Sequence, residues 1–225
     1  MNFAGRAVAI LWKDVLTEWR TKERLSGMVF FVVLVLLVFN FSFKLGGVAL
    51  HEIGPGVLWS SFVFSSLLGL NRTFASELEN GCLDALLQAP GDRSALYLGK
   101  MLGNLVFLLV VELISLPVFA LFFNLSIGLY LLPLVAILVL GSASLAAVGT
   151  LFAVMSSNTR LRELLLPLLV LPMVMPALIA CVQATAAVLQ PGGMAAFYPY
   201  LRILGVYVIV FTTLSLLLFE YVIED

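Results

Sequence analysis

The chain has 225 residues, of which 62% are hydrophobic and 11% charged, and its formal net charge is −1. An average soluble domain has ~45–50% apolar and ~25% charged residues, because its surface needs polar cover. The composition therefore excludes a secreted or cytosolic enzyme, a disordered chain and a nucleic-acid-binding protein. It predicts an all-α integral membrane protein that forms a single transmembrane domain over residues 1–225.

Residues 1–24 are charged and amphipathic, and we identify no cleavable signal peptide in them. At ~100° per residue, the apolar side chains of residues 3–20 share one arc of a helix. They are Val8, Leu11, Trp12, Val15, Leu16 and Trp19. The opposite side carries Arg6, Lys13, Asp14, Thr17 and Arg20. A basic helix with Trp at its polar boundary is typical of a segment that lies in the plane of the lipid headgroups. A plain stop-transfer anchor is the alternative.

Further along the chain, six stretches are apolar enough to span a bilayer, which takes about 20 residues each. They are Leu25–Phe43, Gly54–Leu70, Lys100–Phe123, Leu129–Met155, Leu164–Leu189 and Leu201–Val222. The second is the weakest, because it is short and opens with Gly54-Pro55-Gly56. The fifth contains three prolines and is predicted to be one kinked helix, since neighbouring helices can satisfy the freed carbonyls.

Lysine and arginine residues are distributed unevenly between the two sides of the membrane that these spans define. Ten of the 12 basic residues fall on the side of the N-terminal segment, and only Lys44 and Arg202 fall on the other. Because cytoplasmic loops carry an excess of Lys and Arg, both termini are predicted to be cytoplasmic.

The 71–99 connection is the one long loop, and it is predicted to be cytoplasmic. Within it, Phe74–Leu87 has apolar and acidic faces at helical spacing, and we call these residues the coupling segment. Gly81 lies in its middle and costs ~1 kcal/mol relative to Ala in a helix, so a bend is predicted there. Asp92 is predicted to cap the next helix. A short acidic helix at this place suits a soluble partner, and an ordinary solvated loop is the alternative.

No nucleotide-binding motif occurs in the chain. Gly99-Lys100 is the single Gly-Lys pair, but Ser94 and Met101 replace the glycine and the hydroxyl residue that a P-loop requires. Any dependence on ATP therefore needs a second polypeptide. We also predict no metal site, no catalytic residue and no cofactor held by this chain. His51, in the first external loop, could ligate haem iron, but a lone histidine is more often without such a role.

Glu112 is the residue that is unusual within the membrane, because it lies near the middle of the third span with no basic residue predicted at its depth. Intramembrane carboxylates are costly and are candidate functional groups. The alternative is a protonated side chain that joins helices through a hydroxyl or amide. Its candidate partners are Ser142, Ser144 and Gln183.

Two stretches resemble a known family. Glu77, Glu79, Gly81 and Leu83, followed by Pro90, Arg93 and Leu98-Gly99-Lys100, resemble the cytoplasmic signature of type-2 ABC-transporter permeases. The stretch Leu161–Leu169, with Pro172 and Pro176, resembles the fifth-span entry of the cytochrome c maturation permeases, the haem exporter protein B (CcmB) family. The chain departs from the commoner signature at Leu78, where the family often has Arg, and at Cys82, where Thr or Ser is usual.

This resemblance implies a permease of the bacterial inner membrane for haem export and c-type cytochrome biogenesis. It implies two copies of the chain, two copies of a cytoplasmic ABC ATPase that binds ATP, and a haem-handling membrane protein as a further partner. Contact with the ATPase is assigned to Glu77, Glu79, Gly81, Asp84 and Arg93. The cargo is haem, or else ATP hydrolysis releases a haem-loaded chaperone. A type-2 permease for lipid, glycan or drug and a non-transporting assembly scaffold are the alternatives.

Overall fold

The computed structural model describes residues 3–46, 50–79, 81, 92–123, 131–157, 159, 161–190 and 194–224. In this part of the chain there are seven α-helices and no strands. They are α1 (Phe3–Thr21), α2 (Glu23–Gly46), α3 (Leu50–Glu79), α4 (Ser94–Phe123), α5 (Leu131–Ser157), α6 (Arg162–Leu189) and α7 (Met194–Glu224). Helices α2 to α7 are the ones long and apolar enough to cross a membrane. The predicted all-α fold with six spans is confirmed.

Helices extend into the 71–99 connection from both sides, in agreement with the helical spacing predicted from Phe74 onward and with Asp92 as the capping residue. Helix α3 continues to Glu79, and α4 begins at Ser94. Thr73 and Phe74 are buried against neighbouring helices, which stabilises these added turns. At its other end α3 begins at Leu50, so the backbone of His51 lies in a helix and not in the expected loop.

Helices α3 and α5 form the centre of the bundle. The second span was expected to be the weakest, yet it has the largest buried share of the six spans. Its serines explain both observations, because they lower its hydropathy and are buried against other helices: Ser61, Ser65 and Ser66. In a bilayer, small and polar side chains belong at helix interfaces, since the lipid already solvates apolar ones.

Close helix contacts depend on the small residues of α5. A Cβ atom at Gly141 would collide with the indole of Trp59 and lie 2.8 Å from Sγ of Cys181. A Cβ atom at Gly149 would collide with the side chain of Leu70. These glycines therefore let α3 and α6 approach α5 closely.

Helix α6 runs without interruption through Pro167, Pro172 and Pro176, so the prediction of one span here is confirmed. The bundle has two ends. The α1 end contains α1, the C-terminus of α3 and the N-terminus of α4, and the far end contains the N-terminus of α3 and the C-terminus of α4. The C-terminal part of α7 also lies at the α1 end, where the hydroxyl of Ser94 donates to the carbonyl of Leu216.

Candidate coupling site

The residues predicted to contact an ATPase fall at the α1 end, around the connection between α3 and α4. Glu77 and Glu79 belong to the last turn of α3, and their side chains lie outside the described part of the structure. Asp84 also lies outside the described residues. Gly81 is exposed and has a φ of +63°, a left-handed conformation that favours glycine. The backbone therefore bends at Gly81, two residues after α3 ends.

The other side of this connection is held by Asp92 and Arg93. The Asp92 carboxylate accepts a hydrogen bond from the backbone N–H of Ser94 at 3.2 Å, as expected of a residue that caps α4. The Arg93 carbonyl accepts the N–H of Leu96 at 2.9 Å, and the Arg93 side chain is half-buried. The start of α4 is thus fixed close to the coupling segment.

Helix α1 packs along the first turns of α4. A Cβ atom at Gly99 would lie 2.8 Å from both the carbonyl oxygen of Ala7 and Cβ of Ile10. Arg6 makes a second contact near the start of α4, where its guanidinium donates a hydrogen bond to the Asp92 carbonyl at 3.3 Å. Only a glycine at position 99 leaves room for this approach.

The face of α1 that packs against the bundle is a mixed one, while most of the large apolar side chains of the helix are open. The buried residues are Arg6, Ala7, Ile10 and Glu18. By contrast, the large apolar side chains of the arc predicted from the sequence include four that are exposed: Val8, Trp12, Leu16 and Trp19. Of the predicted polar side, Arg6 and Asp14 have partners on or just before α4. The other members of that side are exposed: Lys13, Thr17 and Arg20.

A sharp junction joins α1 to α2. Lys22 has a φ of +55°, which a residue with a side chain adopts at some cost. The Glu18 carboxylate compensates by accepting the N–H of Leu25, at the first turn of α2, at 2.8 Å. The direction of α1 relative to α2 is therefore fixed by a specific contact.

Lys100 is the buried cation of this site, and 2% of its side chain is exposed. Its ammonium lies 3.0 Å from Oδ2 and 3.2 Å from Oδ1 of Asp14. It also donates to the carbonyl of Thr73 at 3.4 Å and lies 5.5 Å from the centre of the Phe74 ring. Lys100 thus connects α4 to α1 and to the C-terminal turns of α3.

One turn further along α4, Asn104 connects four helices. Its Oδ1 accepts hydrogen bonds from Arg24 of α2 at 2.5 Å and from Thr73 of α3 at 3.0 Å. Its Nδ2 donates to the hydroxyl of Thr150 on α5 at 2.7 Å. We call these four residues the Asn104 cluster.

Glu112 lies on the same face of α4, in the half of the bundle nearer the far end. It is 1% exposed, and its Oε1 accepts a hydrogen bond from the Ser142 hydroxyl of α5 at 2.5 Å. Among the described residues, its Oε2 has no hydrogen-bond partner. Ser144 bonds to its own helix and Gln183 is exposed, so Ser142 is the contact made among the three candidates.

The sequence reasoning missed Lys100 and Asn104 as organising residues. Two signals were available: an amide within an apolar span, and the glycines at 99 and 103 with the four-residue spacing of a helix contact. The partners could not be found in this way, because Asp14 is 86 residues from Lys100 in the chain.

The chemistry of the described residues is that of contacts between helices. No group of three His, Cys, Asp or Glu side chains in the described ranges is arranged to hold a metal ion. Charged hydrogen bonds tie α1, α3 and α4 together, and an acidic segment continues from them.

The fold and the site together define a polytopic α-helical membrane protein with six spans. A family model, described as "CcmB protein", matches residues 5–223, and the chain belongs to the CcmB family.

Three relatives that this chain resembles share the same name. The chain is 35% identical over 153 residues to "Heme exporter protein B" of Rhodobacter capsulatus, which is 68% of this chain and 69% of the relative. It is 34% identical over 172 residues to the protein of that name from Paracoccus denitrificans, covering 76% and 78% of the two chains. With the Haemophilus influenzae protein of the same name, identity is 26% over 207 residues, covering 92% and 91%.

Proposed function

We propose that this chain is the permease subunit of an ABC transporter complex for haem export in c-type cytochrome biogenesis. The observation that carries the proposal is the match to the CcmB family over residues 5–223. The name of its relatives, "Heme exporter protein B", is the basis for proposing haem as the cargo. Six helices fit for membrane spans support a multi-pass membrane protein.

ATP is hydrolysed by a separate cytoplasmic subunit, because the sequence has no P-loop of its own. The complex contains two copies of this ATPase, a second copy of the permease and a haem-handling membrane protein of the maturation system. Glu77, Glu79, Gly81, Asp84 and Arg93 contact the ATPase. The left-handed φ of Gly81 supports this role, since it marks a bend in the middle of the coupling segment, after the two acids of α3.

The complex is placed in the bacterial inner membrane, with both termini and the α1 end in the cytoplasm. Ten of the 12 basic residues lie on this side of the predicted topology. Helix α1 lies in the plane of the headgroups, with its exposed arc of Trp12 and Trp19 directed to lipid. The bilayer is therefore a binding partner of α1, in addition to α4.

Nucleotide binding closes the two ATPase subunits, and the coupling segment conveys this closure to the spans, which move between two arrangements. The two acids of α3 interact with cationic groups of the ATPase. Charge reversal at such a contact costs ~2 kcal/mol or more in the affinity of the partner. The same charge reversal at a surface position that contacts no partner costs ~0.5 kcal/mol or less in folding stability.

The test is a bacterial strain that lacks its own haem exporter permease and carries either this chain or its variant Glu77→Lys with Glu79→Lys. We expect the unsubstituted chain to restore holocytochrome c. The double variant should insert normally, release the ATPase during purification and form no holocytochrome c. Glu163→Lys, a reversal at an exposed acid of α6 at the same end, is the control and should behave like the unsubstituted chain.

Two results would count against the proposal. Failure of the unsubstituted chain to restore cytochromes, when it is inserted together with its own ATPase, would refute the function. Retention of the ATPase and of maturation by the double variant would refute the coupling role of these acids. ATP-dependent uptake of haem by inside-out vesicles identifies haem as the cargo, and its absence when maturation is intact indicates release of a haem chaperone.

A further inference from the structure

Thr73 and Phe74 lie in the C-terminal part of α3. Both side chains are buried, and Phe74 is 1% exposed. The backbone helix continues for five more residues, which we call its outer turns, and ends at Glu79. Whatever displaces the outer turns of α3 therefore acts first on Thr73 and Phe74.

Lys100 contacts both of these residues. Its ammonium donates to the Thr73 carbonyl at 3.4 Å and lies over the Phe74 ring at 5.5 Å from the centroid. A carbonyl inside a helix already accepts the N–H four residues later, so the lysine makes an additional contact to this turn of α3. Lys100 thus holds this part of α3 to α4 together with Asn104, whose Oδ1 accepts the hydroxyl of Thr73 at 3.0 Å.

The same ammonium binds the Asp14 carboxylate of α1 at 3.0 and 3.2 Å. Helix α1 is in turn positioned by the Gly99 contact and by the Arg6 contact to Asp92, at the other end of the connection that contains the coupling segment. The C-terminal part of α3 and the start of α4, on the two sides of that connection, are therefore both held to α1.

We propose that Lys100 is a positioning residue that holds α1 and the outer turns of α3 to α4 as one unit, so that displacement of the coupling segment moves α1 and α4 together. The inference rests on the proposed function, because it assumes that an ATPase displaces that segment. It adds the residue through which the displacement reaches the spans. Without the ammonium, displacement of the outer turns of α3 is not passed on to α1.

The test uses the permease–ATPase complex reconstituted in lipid nanodiscs, together with the maturation assay in cells. Lys100→Met keeps the length of the side chain and removes the charge, and the 16% exposure of Asp14 together with its contact to Lys13 at 3.2 Å accommodates the remaining carboxylate. We expect the ATPase to remain bound and its hydrolysis rate to stay within about twofold of normal. Holocytochrome c per inserted permease should fall about tenfold or more.

Amide hydrogen exchange gives a readout that a purely structural role would leave unchanged. In the unsubstituted complex, nucleotide should change the exchange of residues 3–21 and of residues 70–79 together. In Lys100→Met, the change in residues 70–79 should persist while the change in residues 3–21 is lost. Arg72→Gln is the matched control, since it removes an exposed cation of α3 that pairs with Glu23 at 3.2 Å, and it should leave both changes intact.

Normal maturation per permease in Lys100→Met would overturn the inference, and so would loss of maturation together with loss of the ATPase. If the single variant does not accumulate, Asp14→Asn with Lys100→Met removes both charges of the buried pair and is judged by the same ratio of maturation to hydrolysis. Failure of the proposed function is distinguishable, because the unsubstituted permease would then not retain the ATPase at all.

Discussion

Replacement of Asn104 by leucine tests whether the Asn104 cluster holds the α1 end of the bundle together. Leucine is close to asparagine in size, so the substitution removes three hydrogen bonds with little change in packing. Two of these bonds join neutral side chains, Thr73 and Thr150, at 3.0 and 2.7 Å. The third, at 2.5 Å, comes from the guanidinium of Arg24.

The expected loss follows from the kind of each bond. Hydrogen bonds between neutral groups of membrane helices average ~0.6 kcal/mol, and bonds to charged groups contribute ~1.5–3 kcal/mol. Thr73 retains its bond to the carbonyl of Gly69 at 3.3 Å, which limits its share. Arg24 retains the ring of Phe107, 4.7 Å from its guanidinium carbon. We expect Asn104→Leu to lower the free energy of unfolding by about 3 kcal/mol.

The assay is reversible unfolding of the purified permease in mixed detergent micelles, followed by circular dichroism. Asn40→Leu is the matched control, because Asn40 is also a buried asparagine but has one side-chain bond in the described structure, to the carbonyl of Phe122 at the far end. Its loss should be about 1 kcal/mol. If Asn104→Leu costs no more than Asn40→Leu, the cluster does not stabilise the bundle and the reasoning fails.

Three further predictions concern other parts of the chain. Glu112→Gln should retain insertion and maturation, because an amide can still accept the hydrogen bond of Ser142; a stable variant that forms no holocytochrome c would show that the carboxyl is used in transport. Gly141→Val should lower stability by ~1–3 kcal/mol, measured by the same unfolding assay, because its side chain would overlap the indole of Trp59. A topology reporter fused after Asp225 should report the cytoplasm and one inserted at Glu52 the external side, and an external signal at Asp225 would remove one span from the topology.

Hydropathy was sufficient to predict the number of spans, because each span needs ~20 mostly apolar residues to cross the bilayer, whatever its neighbours are. Hydropathy did not predict which of the spans is the most buried. The span containing Ser61 and Ser65 has the weakest signal and yet is the most buried, since polar side chains in a membrane bundle are satisfied by other helices. The helical spacing from Phe74 and the bend predicted at Gly81 agree with the end of α3 at Glu79 and with the left-handed φ of Gly81. The burial of Phe74 was not predicted, because it depends on residues distant in the sequence.

The candidate site shows a similar division. The sequence predicted which side chains of α1 share a face, because this depends only on helical periodicity. It did not predict that Asp14 and Ile10 of α1 meet α4, because this depends on Lys100 and on the space left by Gly99. Glu112 was identified from its depth alone, whereas its partner Ser142 was one of three candidates until the packing of α4 against α5 was known.

Helix α4 connects the α1 end of the bundle to the buried carboxyl of Glu112. Lys100, Asn104 and Glu112 share its buried face at intervals of four and eight residues, so the coupling site and the intramembrane carboxyl are ~18 Å apart along one helix axis. Between them the helix has no proline, and Pro117 comes only after Glu112. An unbroken helix transmits an axial or tilting displacement without local unfolding. A displacement applied at Lys100 therefore reaches Ser142, the contact of Glu112 on α5, through α4 itself.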